Sequence, residues 1–131
     1  MPENKVVLVV EDEQPLLSAI KIKLEKTGFQ VVSSRSVEGA LNILEDKVKV
    51  DIIWLDHYLI GKENGLDLVA KLKKSDSKWK HIPIFVVSNT ASADKVQSYI
   101  HFGIEKYFTK SDYRLDEIIA DIEVCLNKKV E

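Results

Sequence analysis

Five short apolar runs, each followed by a stretch with helical spacing, constrain what this chain can fold into more than any other feature. The runs are Val6–Val10, Phe29–Val32, Ile52–Leu55, Ile82–Val87 and Tyr107–Thr109. Unbroken Val/Ile/Leu-rich runs are the mark of strands buried on both faces of a parallel sheet. Between them, apolar residues recur at helical spacing: Leu17, Ile20 and Leu24; Val37, Ala40, Leu41 and Leu44; Leu66, Val69 and Ala70; Ala93, Val96 and Ile100; Leu115, Ile118, Ile119, Ile122 and Leu126. Gly28 and Gly103 mark helix ends, and Ser36 is placed to cap the second helix. Strict alternation of strand and helix implies right-handed crossovers with helices on both faces. A closed eight-fold barrel needs about 250 residues, and this chain has 131. The expected architecture is one α/β domain over residues 1–131, built on an open, doubly wound, five-stranded parallel sheet.

The ends of these runs carry the chemistry. The first runs into Glu11-Asp12, the third into Asp56, the fourth into Ser88 and the fifth into Lys110. Such sheets bind ligands beyond the carboxyl ends of their strands, so acids, a hydroxyl and an amine converge on one edge. Carboxylates that close repel one another unless a cation offsets them. An oxygen-only cluster suits Mg²⁺ better than Zn²⁺. His57 adjoins the cluster in sequence, but strand alternation turns it away from Asp56. Lys110 and Ser88 beside a metal-bound carboxylate form equipment for phosphoryl transfer, with Asp56 as nucleophile. The competing explanation is a stabilising salt bridge through Lys110. Three acids and one amine make a poor stabiliser, because desolvation rivals their attraction.

Composition narrows the classes. A formal net charge of −2 gives no basic face for nucleic acid, and no apolar run approaches the length of a membrane span. The single Cys125 cannot close an internal disulfide, which points to a reducing, cytoplasmic compartment. Trp79 reads as a lid over a core edge. Tyr99, His101 and Tyr113 read as surface aromatics available to a partner.

From Lys5 to about Lys128 the chain resembles a response-regulator receiver domain of two-component signalling. The resemblance rests on Glu11-Asp12 after the first strand, Trp54-Leu55-Asp56, Ser88, and Tyr107 three positions before Lys110. It implies a flavodoxin-like strand order of 2-1-3-4-5. It also implies Mg²⁺ on Asp12, Asp56 and the backbone carbonyl of Tyr58, with Glu11 acting through water. Lys110 and Ser88 would contact a phosphoryl group delivered to Asp56 by a histidine kinase or a histidine phosphotransfer protein. Ser88 would then move toward the phosphate, Tyr107 would turn inward, and the face of helix four, strand five and helix five would signal to a downstream protein or a fused output domain. On this view the chain is a phosphoacceptor that promotes its own phosphorylation and dephosphorylation, not a turnover enzyme.

The chain departs from the family's usual pattern in several places. Ile60 stands where Pro is common, and Gly65 comes one residue later than usual, so this loop is expected to bulge. Asn89 replaces the common Ala, and Ser111 the Pro whose preceding bond is cis; the sequence leaves this bond's isomer open. Tyr58 and Thr90 occupy positions that tune dephosphorylation, and a bulky Tyr58 is expected to slow it. A flavin module would want a phosphate-cradling loop where Glu11-Asp12-Glu13 stands. An aspartyl phosphatase would want Asp-x-Asp there. A degenerate receiver that binds partners without phosphorylation is the remaining alternative. The chain ends Lys128-Lys129-Val130-Glu131, compatible with a stand-alone receiver or a piece of a longer polypeptide.

Overall fold

The computed structural model describes residues 5–89 and 92–130. Five strands, β1 (Val6–Val10), β2 (Gln30–Ser34), β3 (Ile52–Leu55), β4 (Ile84–Ser88) and β5 (Lys106–Thr109), alternate with five helices. These are α1 (Gln14–Thr27), α2 (Val37–Glu45), α3 (Gly65–Leu72), α4 (Ala93–Phe102) and α5 (Leu115–Val130). All strand pairings are parallel, in the order β2-β1-β3-β4-β5. The expected doubly wound α/β sheet is the fold observed.

Local chemistry sets the helix ends. Pro15 lies in the first turn of α1, where an N–H is not needed, and Gly28 closes that helix at φ 108°. Ser36 accepts the Gly39 N–H at 3.0 Å and caps α2. Asn64 and Asp67 cap α3 reciprocally, each side chain taking the other's backbone N–H.

Each buried strand serves two cores because successive side chains face opposite layers. Val7, Val9, Ile52, Trp54, Phe85 and Val87 pack against α1 and α5. Leu8, Val10, Ile53, Leu55, Ile84 and Val86 pack on the other side. Trp79 covers an edge of this second core, with the Lys78 ammonium 4.9 Å above its ring.

The structure corrects the sequence reading of α4. Tyr99 is fully buried and Ile100 is 54% exposed. The inward face of α4 is thus centred on Tyr99, not on the Ala93–Val96–Ile100 stripe. The longer loop after β3 does depart from the sheet: Ile60 pairs with Ser36 beyond the end of β2, its N–H donating to the Arg35 carbonyl at 3.1 Å. Every described peptide bond is trans, Lys110–Ser111 included, as the energetics of a non-proline bond favour. A single 3-10 turn at Lys110–Asp112 follows β5.

Gly65 fixes how closely α3 approaches the end of β3. Its N–H donates to the His57 carbonyl at 2.9 Å. A Cβ there would meet the Asp56 carbonyl oxygen and the Tyr99 hydroxyl, both at 2.7 Å. Gly65→Ala should therefore destabilise the fold by roughly 1–3 kcal/mol, the range for overpacking. Chemical denaturation checks this, and an unchanged midpoint would show that the strand end and α3 can part freely.

Candidate functional site

The sheet hydrogen bonds continue past the strand ends and fasten the acidic residues in place. The Asp56 N–H donates to the Val10 carbonyl at 2.9 Å, and the Glu11 N–H to the Ser34 carbonyl at 3.0 Å. Glu11 is fully buried, Asp56 is 3% exposed, and Asp12 is half-buried. Ligand oxygens of these three carboxylates lie within 4.8 Å of one another. Lys110, reaching in from the end of β5, sets its Nζ 2.9 Å from Glu11 Oε1 and 3.2 Å from Asp56 Oδ2.

Three carboxylates thus face one ammonium in a largely dry place. Burial, reinforced by the charge of Asp56, pushes Glu11 up to about 7 against the opposing hydrogen bond from Lys110. Burial works to depress Lys110, but its bond to Glu11 and the charge of Asp56 outweigh that and raise it. Asp56 Oδ1 is buried and has no hydrogen-bond partner among the described residues. A buried carboxylate oxygen without a donor, beside two more carboxylates, fits a hard divalent cation held by oxygen ligands.

Ser88 is buried at the end of β4, and its hydroxyl shares a hydrogen bond with Tyr107 on β5. His57 is buried, turned from the acidic cluster toward α4, with Nδ1 2.6 Å from the Tyr99 hydroxyl. Burial, and then the charge of Lys95, depress its basicity. Tyr58 is 53% exposed, its ring edge-on to His57 and 5.5 Å from the Lys95 ammonium. Thr90 lies outside the described residues.

Two features escaped the sequence reading. Arg35, following β2, donates from Nε and Nη2 to the Asp12 carbonyl at 3.0 and 2.7 Å and so holds the acidic loop by its backbone. Asn89 accepts the Ser111 N–H at 3.0 Å. The departures at positions 89 and 111 are visible in the sequence, but nothing in it says that they meet.

The chain is similar to known proteins over most of its length. The response regulator receiver domain family matches residues 7–123. The chain is 28% identical over 125 residues to the phosphate regulon transcriptional regulatory protein PhoB of Pseudomonas aeruginosa, covering 95% of this chain and 53% of that protein. It is 32% identical over 124 residues to the transcriptional regulatory protein KdpE of Mycobacterium tuberculosis, covering 94% and 51% respectively. The chain therefore spans about half the length of these curated relatives. Among solved structures, a CheY-like receiver domain protein from Methanospirillum hungatei superposes with a TM-score of 0.84 at 21% identity, over 95% of this chain and 94% of that one. A response regulator solved in its Mn²⁺-bound form gives 0.75 at 25% identity, over 91% of each chain. Among the described residues, no helix is long and apolar enough to cross a membrane.

The buried Glu11 makes stability depend on pH in a definite direction. Its raised value means the folded state holds this proton more tightly than the unfolded chain does. Its contribution is complete below its ordinary 4.5 and is lost as pH rises to about 7. The loss amounts to about 3 kcal/mol at most. Denaturant unfolding of the metal-free protein at pH 4.5 and 7.5 should show this fall in the wild type and a much smaller one in Glu11→Gln. Equal pH dependence in the two would contradict it.

Proposed function

Because the chain belongs to the response regulator receiver domain family of two-component systems, we propose that it takes a phosphoryl group onto Asp56 from a histidine kinase or a histidine phosphotransfer protein. The observation that carries this reading is the position of Asp56: a buried carboxylate with one oxygen facing Lys110 at 3.2 Å and the other without a donor, beside Glu11 and Asp12. Asp12, Asp56 and the Tyr58 backbone carbonyl would hold Mg²⁺, with Glu11 acting through water. A similar response regulator has been solved with Mn²⁺ bound, which supports a divalent ion. When bound, Mg²⁺ supplies positive charge to the oxygens of the transferring group.

In the transfer, an Asp56 carboxylate oxygen forms a bond to phosphorus as the bond from phosphorus to the donor's imidazole nitrogen breaks. The imidazole keeps the electron pair and takes up a proton. Lys110 donates an N–H to one phosphoryl oxygen and Ser88 its hydroxyl to another, offsetting the charge that gathers there. Ser88 gives up its bond to Tyr107 in doing so, and Tyr107 follows it inward. The event is local, and it biases a two-state element. The face of α4, β5 and α5, where Ile100, Phe102 and Val124 are exposed, carries the result to a downstream protein. Over residues 1–131 the chain acts as one receiver unit, a phosphoacceptor rather than a turnover enzyme.

Incubation with acetyl phosphate and Mg²⁺, read by intact mass, should add one phosphoryl group to the wild type and none to Asp56→Asn or to chelator-treated protein. Lys110→Ala should react roughly 100-fold more slowly, the usual loss for one charge-stabilising donor. No gain in the wild type would favour the degenerate receiver, and an equal gain in Asp56→Asn would move the acceptor elsewhere.

A further inference from the structure

We propose that Asn89 is a positioning residue that sets Lys110 by clasping the peptide that follows it. The inference rests on the phosphoacceptor reading above and assigns work within that site to a residue that does not itself touch the acidic cluster. Strands β4 and β5 pair in register up to Ser88 and Thr109. One residue further on, the backbone ladder has ended and Lys110 must turn into the 3-10 turn Lys110–Asp112. There the Asn89 side chain takes over from the backbone, its Oδ1 accepting the Ser111 N–H at 3.0 Å. The first residues of such a turn carry N–H groups without partners inside it. Its own N-cap, Thr109, makes no side-chain capping bond, so the acceptor comes from the neighbouring strand.

The consequence falls on Lys110. Its ammonium sits on a flexible four-carbon stem and has to meet Glu11 at 2.9 Å and Asp56 at 3.2 Å together. Misplacement of a positioning group by an ångström is enough to slow chemistry. Fixing the peptide on one side of Lys110 sets the point from which that stem starts. The two departures from the usual receiver pattern fit as one device. Pro at 111 would have no N–H to give, and Ala at 89 would have no oxygen to accept one. Donor and acceptor are present together, and each loses its use without the other.

A double-mutant cycle tests this, because residues acting through one contact are not additive. Phosphorylation by acetyl phosphate at saturating Mg²⁺ should slow about five-fold in Asn89→Ala, the factor that one ordinary hydrogen bond represents. Ser111→Pro should slow it similarly, and the double variant should be no slower than the slower single one. Single variants that react at the wild-type rate, or effects that multiply in the double variant, would overturn the proposal. Amide hydrogen exchange separates its failure from that of the phosphoacceptor reading. The Ser111 N–H should be protected in the wild type and lose that protection in Asn89→Ala, even if Asp56 accepts no phosphoryl group. Equal exchange in both proteins would show that the clasp does not exist.

Discussion

An excess of buried negative charge at the C-terminal edge of the sheet is the constraint on which the rest of this structure depends. Glu11 and Asp56 are almost wholly removed from solvent and Asp12 lies beside them, while among the described residues Lys110 alone brings an ammonium into the cluster. Removing charges from water costs several kcal/mol per ion, and breaking a buried pair leaves an uncompensated charge. A stability-driven core would not keep such a group. The backbone holds it there: β1 and β3 are buried on both faces, the β1–β3 ladder runs on to Asp56, and the β1–β2 ladder runs on to Glu11. The fold therefore holds the carboxylates together before any ligand arrives. Their mutual repulsion, and the proton that Glu11 retains to about 7, are a stored cost that a divalent cation would relieve.

Several otherwise separate details serve that constraint. Arg35 grips the Asp12 carbonyl and keeps the acidic loop from drifting. Gly65 lets α3 come up against the backbone of Asp56 and His57. His57 and Tyr99 join the end of β3 to α4 through a buried hydrogen bond, so the residue next to Asp56 is tied directly to the helix bearing exposed Ile100 and Phe102. Ser88 and Tyr107 share a bond on the adjacent strands. Tyr99 and Tyr107 have ring centres 5.9 Å apart. The tyrosine pair thus lies between the end of the sheet and the α4 and β5 surface.

Much of this was legible in the sequence, for identifiable reasons. A parallel strand buried on both faces cannot alternate polar with apolar, so its run is continuous and its end is conspicuous. Each run that stops at a charge or hydroxyl therefore announces both a strand and a candidate site residue, as at Asp56, Ser88 and Lys110. Strand order came only from the family resemblance, since periodicity says nothing about which strands are neighbours. The α4 stripe misled because Ala93, Val96 and Ile100 have helical spacing, while the large side chain that the core needed was Tyr99. A tyrosine reads as polar-edged until a buried partner for its hydroxyl, here His57, is known. Arg35 to Asp12 and Asn89 to Ser111 were invisible for a related reason: each is a side chain meeting a backbone group from a distant part of the chain, and no local pattern encodes that meeting.

An acidic cluster that is electrostatically incomplete and built for a divalent cation should respond to Mg²⁺ in thermal unfolding at neutral pH. A ligand that binds only the folded state stabilises it by about 3 kcal/mol at one hundred times its dissociation constant. The midpoint should climb steadily with Mg²⁺ in the wild type and stay flat in Asp12→Asn. A wild-type midpoint indifferent to Mg²⁺, or one that climbs equally in Asp12→Asn, would contradict it.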